Sequence, residues 1–159
     1  MFIGIDWGTN SSKWAAWTGD RRNRYRVGVI WPSAVVVSDD ELVFSATRGG
    51  TRVVKDVKQE ILTNPIAYSF WDAERADTRT TLGELVVFSL CSLITNALAE
   101  LTKGKGENKD LEFGFSMPNW VSHTDERSTQ AVRNFCEAAA VTLAYLESGS
   151  PSSPPGGAL

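Results

Sequence analysis

The sequence predicts an α/β protein with a mixed β-sheet and flanking helices. Three short apolar segments near the N-terminus, separated by turn residues, predict consecutive antiparallel strands. A long helical pattern, an apolar strand and a second long helical pattern follow in that order, which is typical of an α/β layer. The 159 residues, of which 42% are apolar, are enough for one compact domain with a substantial core.

Glycine, asparagine and aspartate delimit the three N-terminal strands. Phe2–Asp6 is an apolar run that ends in a carboxylate, and the turn Gly8–Asn10 separates it from Ser12–Trp17. A second turn, Gly19–Asn23, leads to Tyr25–Ile30. Strands joined by such tight turns predict an antiparallel meander.

The segment from about residue 32 to residue 80 is predicted to be a small insertion in this core. Ala34–Val37 and Glu41–Ser45 predict a hairpin, and Val53–Leu62 predicts a weak helix that ends before a proline. Residues 65–79 favour neither a helix nor a strand.

Two long helices with a strand between them complete the domain. Thr81 and Glu84 have the spacing of a capping box at the start of a helix over 82–101. Leu111–Met117 predicts a buried strand, and apolar residues at helical spacing predict a second helix over 125–146. Serine, proline and glycine dominate residues 148–159, so we expect a flexible tail or linker after a domain of residues 1–147.

Charge and composition argue against several classes of function. The net charge is −3 and the basic residues are scattered, so nucleic acid and anionic membrane are not expected partners. A single histidine, His123, leaves little material for a zinc site or a catalytic triad. Two distant cysteines, Cys91 and Cys136, and a strand directly at the N-terminus predict a cytoplasmic protein. Polar side chains interrupt the most apolar stretch, 82–101, at Glu84, Ser89, Ser92, Thr95, Asn96 and Glu100.

The turn after the first strand combines residue types that suit a phosphate. A tight bend at Gly8 turns several backbone N–H groups to one side, and the hydroxyls of Thr9 and Ser11 can add donors. Asp6 can hold a hydrated Mg²⁺, because this ion accepts one carboxylate and retains water. An ordinary hairpin, in which the same residues serve only turn geometry, is the alternative interpretation.

Segments along most of the chain resemble one superfamily of ATPases. The run from Asp6 to Ser12 resembles the first phosphate motif, Asp-x-Gly-Thr, shared by actin, DnaK-type heat-shock chaperones and sugar kinases. Later segments resemble DnaK-type chaperones in the same order: Trp31–Val37 with Glu41–Val43, Thr51–Leu62, and Phe115–Val121 with Asp125–Arg127. The resemblance implies a ribonuclease-H-like fold, as the first lobe of an actin-like ATPase domain, and the order of elements is close to that core.

The resemblance also implies ATP or ADP and Mg²⁺ as ligands. Asp6 would bind Mg²⁺ through water, and Lys58 would act in catalysis by neutralising charge that builds on the γ-phosphate. The residues that line the phosphates would be Gly8, Thr9, Asn10 and Ser11. A lysine that simply lies in solvent is the alternative for Lys58.

The chain departs from the family pattern in three respects. Asn10 stands where the chaperones usually have a second threonine. Pro118 and Arg127 match positions that relay nucleotide state to a substrate domain, but the spacing between them is one residue longer than usual. The second phosphate hairpin and the glycine-rich adenosine motif, which belong to the second lobe, are missing from the sequence. The resemblance therefore implies part of an ATP site, which would hydrolyse ATP only with a second lobe.

Three functions follow from these observations. The first is the ATP-binding lobe of a DnaK-like chaperone, whose partners would be nucleotide, a second lobe, client proteins or co-chaperones. The second is the N-terminal lobe of a carbohydrate or small-acid kinase, which Lys13 favours. No Asp or Glu directly after a strand indicates the catalytic base of such a kinase, and Asp72 and Asp77 lie in the segment without a predicted structure. The third is a non-catalytic assembly module on the same fold that self-associates through an exposed apolar face.

Overall fold

The computed structural model describes residues 1–17, 25–30, 35–37, 42–44, 52–54, 57–63, 81–102, 111–116 and 125–148. The strands in these ranges are β1 Phe2–Asp6, β2 Ser12–Trp17, β3 Tyr25–Ile30, β4 Val35–Val37, β5 Leu42–Phe44, β6 Arg52–Val54 and β7 Glu112–Phe115. The helices are α1 Val57–Thr63, α2 Leu82–Thr102 and α3 Glu126–Glu147.

The larger sheet is mixed and has the strand order β3-β2-β1-β7. Strands β1, β2 and β3 are antiparallel neighbours, which confirms the predicted meander with its bounds. Strand β7 pairs with the other side of β1 in the parallel sense, with Ile5 beside Phe115. The prediction of an α/β fold with a mixed sheet is therefore confirmed, and β1 is a central strand.

One face of this sheet packs against the helices. Burial alternates along β2, where Trp14 and Ala16 are buried and Lys13 is exposed. Their neighbours on β1, Ile5 and Ile3, are at most 2% exposed. This period of two is what a strand with one buried face requires. The largest buried side chains from the long helices are Val86, Val87, Leu90, Leu93, Ile94 and Phe135.

The opposite face of the sheet, which we call the open face, carries large apolar side chains that remain exposed. Phe2 on β1 and Trp17 on β2 are 46% and 54% exposed, and the three β3 side chains on this face are more exposed still. The ring of Phe2 extends over Gly114 of β7, where an added Cβ would lie 2.6 Å from the ring. A monomeric protein rarely exposes so many neighbouring apolar side chains, so the open face is a candidate for further contacts.

Side-chain caps begin both long helices. The N–H of Glu84 donates to Thr81 Oγ1 at 3.2 Å, and the N–H of Thr81 donates to Glu84 Oε2 at 2.7 Å. This reciprocal pair is the predicted capping box. At the start of α3, Asp125 Oδ1 accepts from the N–H of Ser128 at 2.7 Å. Each cap stabilises its helix by about 1 kcal/mol.

Helix α2 contains the most apolar stretch of the chain. By length and composition alone, Leu82–Leu101 could cross a membrane, but 61% of this stretch is buried inside the structure. Both α1 and α3 pack against α2, which gives it the position of a core helix. Two of its polar side chains are satisfied within the helix, because Ser89 and Ser92 each donate to the carbonyl four residues earlier at 2.8 Å.

The inserted segment differs from its prediction in one element. Strands β4 and β5 form the expected antiparallel hairpin. The predicted helix over Val53–Leu62 was wrong at its start, because Val53 and Val54 belong to β6 and pair with Val36 and Val35 of β4. Two adjacent β-branched residues favour a strand once a partner is available. Residues 65–79 and the tail from residue 149 lie outside the described residues.

Candidate functional site

The turn between β1 and β2 is anchored to the helix layer by Trp7. This side chain is 2% exposed, and its ring stacks on Phe135 of α3 with centroids 5.7 Å apart and planes 11° apart. Phe115 of β7 meets the same Phe135 ring edge-on at 6.3 Å. These aromatic contacts hold the chain in place directly after Asp6, at the point where the turn begins.

Gly8 is required by a close contact within the turn. A Cβ at this position would overlap the carbonyl oxygen of Ser11 and lie 3.1 Å from the Ser11 carbonyl carbon. The φ of Gly8 lies outside the left-handed region, so lack of space rather than backbone strain selects glycine here. The absence of a side chain lets the turn close tightly between two paired strands.

The backbone amides of this turn donate to no backbone carbonyl in the described part of the chain. Among the described residues, no backbone hydrogen bond outside the strands is donated by Gly8, Thr9, Asn10 or Ser11. Thr9 and Asn10 are exposed, and Gly8 and Ser11 are partly exposed. Backbone N–H groups in this state can donate hydrogen bonds to an anion.

The carboxylate of Asp6 is held by Ser116, which lies directly after β7. The Ser116 N–H donates to the carbonyl of Ile5 at 2.7 Å and extends the β1–β7 pairing by one residue. Ser116 Oγ then donates to Asp6 Oδ1 at 2.8 Å. Sequence reasoning gave no role to Ser116. Its only signal was its position after a strand, since the carboxyl ends of parallel neighbours meet at one edge of a sheet.

Lys58 lies on the other side of the turn, in the first turn of α1. Its Nζ donates to the carbonyl oxygen of Trp7 at 2.7 Å. Partial burial lowers the pKa of the Lys58 ammonium, and the negative charge of Asp6 partly offsets this by raising the pKa. The lysine predicted from sequence to act at a phosphate is thus in contact with the backbone that precedes Gly8.

The structure brings together all six residues that sequence reasoning assigned to the site. Asp6, the turn Gly8–Ser11 and Lys58 surround one bend, although α1 is about fifty residues away along the chain. Arg127 is exposed in the first turn of α3. The other residues to which the sequence gave possible roles lie outside the described part of the chain, namely Asp72, Asp77, Pro118 and His123.

The donor set suits a hydrated magnesium ion better than a metal with several protein ligands. In the described ranges, no group of three or more His, Cys, Asp or Glu side chains could hold a metal. Asp6 is exposed, and Ser116 Oγ donates to its Oδ1. One carboxylate oxygen beside solvent fits Mg²⁺, which retains most of its water when it binds near phosphates.

Comparison with known proteins assigns no family. No protein-family model matches the chain, and no curated protein matches it in sequence. The geometry around the β1–β2 turn is therefore the basis on which a function is proposed.

Proposed function

We propose that the β1–β2 turn binds the polyphosphate of a nucleotide together with Mg²⁺, as the first lobe of an actin-like ATPase domain of the DnaK type. One observation carries this proposal. A single bend combines a carboxylate, a lysine ammonium and four backbone amides that donate to no backbone group among the described residues. A polyphosphate offers complementary chemistry, because its oxygens accept from amides and ammonium and its metal ion takes a carboxylate.

The sheet topology supports the same proposal. Three antiparallel strands followed by a parallel strand on the far side of β1 is the arrangement expected for a ribonuclease-H-like core. In this arrangement Asp6 ends a central strand next to the carboxyl end of β7. Ligands in α/β sheets commonly bind at this end of the strands.

Each residue has a distinct role in this proposal. The amides of Gly8, Thr9, Asn10 and Ser11 would bind phosphate oxygens, and Asp6, oriented by Ser116, would bind the water shell of Mg²⁺. The Lys58 ammonium would exchange its contact with the Trp7 carbonyl for a phosphate oxygen. Bound Mg²⁺ would neutralise phosphate charge.

Because the β1–β2 turn would be only part of an ATP site, we also predict that the isolated chain binds Mg·ATP weakly. The groups at the turn would contact one side of a triphosphate, and the family resemblance implies that a second lobe binds the adenosine. We expect the dissociation constant for Mg·ATP to exceed about 10 μM, or about −7 kcal/mol, and ATP turnover to be negligible. Activity would require a second lobe that closes over the nucleotide.

An NMR titration tests the proposal. The ¹⁵N-labelled chain is titrated with tripolyphosphate, with and without Mg²⁺, and with sulfate as an ionic-strength control. We expect saturable shifts concentrated at the amides of Thr9, Asn10 and Ser11, larger with Mg²⁺. Asp6→Asn should remove the effect of Mg²⁺, and Lys58→Met should weaken binding about tenfold.

A matched control separates the turn from general charge. Arg133→Gln removes one positive charge from the exposed side of α3 and should leave the titration unchanged. Shifts spread over the basic side chains of the surface, or no response from the four turn amides at millimolar tripolyphosphate, would refute the proposal.

A further inference from the structure

Strand β3 is an edge of the larger sheet and has an apolar row on its open face. Within the described residues, β3 pairs only with β2, so its outer edge has no strand partner there. Tyr25, Val27 and Val29 are 72%, 73% and 64% exposed. An apolar edge strand without a partner is a template for another strand, and soluble proteins usually protect such an edge.

A groove runs between this edge and α2. It has a volume of 490 Å³ and is lined by Arg26 and Gly28 of β3, by Trp14 of β2 and by Asn96 and Glu100 of α2. Trp14 Nε1 donates to Asn96 Oδ1 at 3.1 Å, and Arg26 donates to the carbonyl of Glu100 at 3.1 Å. These two hydrogen bonds hold α2 and β3 on opposite sides of the groove, and leave space beside the edge.

We propose that the outer edge of β3 pairs with β3 of a second copy of this chain. The two strands would run antiparallel about a twofold axis normal to the sheet, with Val27 opposite Val27 and Tyr25 opposite Val29. Because side chains alternate between faces, this register places all three apolar residues of each copy on one continuous open face. The two four-stranded sheets would join into one sheet of eight strands.

Charge complementarity favours a second copy as the occupant. In the same register, Arg26 of the second copy lies opposite Gly28, on the face of the sheet that borders the groove. Gly28 has no side chain, and the indole of Trp14 lies over it. The guanidinium of the second copy would therefore lie beside the acidic Glu100, which attracts it. The twofold axis repeats this contact in the opposite direction.

The expected dimer is reversible. Two six-residue strands bury less than the roughly 800 Å² per partner of a standard interface. The pairing adds backbone hydrogen bonds, three apolar side chains and one Arg26 contact from each copy. We therefore expect a monomer–dimer equilibrium that depends on concentration rather than a permanent dimer.

Sedimentation velocity of the chain over a range of concentrations tests the proposal. Val27→Lys should weaken the dimer at least about tenfold, because the twofold axis places two ammonium groups directly opposite each other. The matched control is Ala15→Lys, on β2, where residue 15 is the neighbour of Val27 on the same exposed face. This control should leave an edge-to-edge dimer intact.

Cysteine cross-linking tests the register of the β3–β3 pairing. It also provides a second test that does not depend on whether a lysine variant folds. In a Cys136→Ser background, which removes the exposed native thiol, Val27→Cys should form a disulfide dimer on mild oxidation. Paired residues 27 would have Cα atoms about 5 Å apart, within disulfide range. Cysteines at position 15 would be three strand spacings apart, about 14 Å, and should not cross-link.

Any of three results would overturn the proposal. The first is a monomer at every concentration with no Val27→Cys cross-link. The second is equal or better cross-linking of Ala15→Cys, which would indicate that two open faces stack instead. The third is a dimer that Val27→Lys retains and Ala15→Lys loses, which would lead to the same conclusion. None of these measurements involves nucleotide, so their outcome is independent of the proposed function.

Discussion

Replacement of Gly8 by alanine tests the close contact on which the geometry of the turn depends. The new Cβ would overlap the Ser11 carbonyl oxygen, so the turn must open or the carbonyl must move. Crowding of this kind costs about 1–3 kcal/mol. The reduced entropy of the unfolded chain offsets about 0.4–1 kcal/mol of that. The expected net loss of stability is about 1–2 kcal/mol.

Gly4→Ala is the matched control, since it makes the same chemical change within β1, four residues before Gly8. A Cβ at Gly4 would have Ala15 O at 3.7 Å and a Phe2 ring carbon at 3.9 Å as its nearest neighbours, both ordinary contacts. We expect this variant to be as stable as the wild type or up to about 1 kcal/mol more stable.

Urea unfolding followed by tryptophan fluorescence measures both variants. The predicted difference between their free energies of unfolding is about 2 kcal/mol. In thermal unfolding this corresponds to a difference in Tm of about 4–8 °C for a chain of this length. In the tripolyphosphate titration, Gly8→Ala should also lose the localised amide shifts, while Gly4→Ala should keep them. Equal stability of the two variants would refute the claim that lack of space selects glycine at position 8.

Three further predictions concern the anchor of the turn, its lysine and the two thiols. Trp7→Ala should lower the free energy of unfolding in urea by about 3–5 kcal/mol, because it removes a side chain that is 2% exposed and stacked on Phe135. Trp17 is 54% exposed, so Trp17→Ala should lower this free energy much less. Burial lowers the pKa of Lys58 in the folded state, so between that lowered pKa and the usual value of 10.5 the unfolded chain binds more protons. The stability of the wild type relative to Lys58→Met should therefore rise as the pH increases through this range towards 10.5. A difference that stays flat or falls with pH would contradict burial as the cause. Burial raises the pKa of the Cys91 thiol to about 11, so a thiol reagent at pH 8 should modify one equivalent rapidly, at the exposed Cys136, and the second only on unfolding.

Local sequence was sufficient for elements whose boundaries are marked by turn residues. Ser12–Trp17 lies in sequence between the glycine-containing segments Gly8–Asn10 and Gly19–Asn23, and its predicted bounds match those of β2. The capping box at Thr81 likewise depends on residues only three positions apart. Strand β6 was missed because Val53 and Val54 fit a helical pattern equally well, and only their pairing with β4 selects the strand.

Contacts between segments far apart in the chain could not be predicted from local sequence patterns. The residues of β7 do not indicate that this strand pairs with β1, although this pairing brings Ser116 to the Asp6 carboxylate. The resemblance to DnaK-type chaperones proposed Lys58, but composition and spacing do not show that its amine contacts Trp7. The sequence therefore indicated the turn, while the tertiary structure supplied the groups around it.

The central position of β1 explains why these groups meet at Asp6. Strand β2 returns along one side of β1 through the Gly8 turn, and β7 runs along the other side and ends at Ser116. Helix α3 meets the same point from the buried face through Phe135, and α1 brings Lys58 to the Trp7 carbonyl. Four elements thus converge on the end of one strand, and the carboxylate and the turn amides remain accessible to solvent. A turn that served only to connect two strands would need neither the serine at its carboxylate nor the lysine at its backbone, whereas the proposed phosphate and Mg²⁺ site would use both.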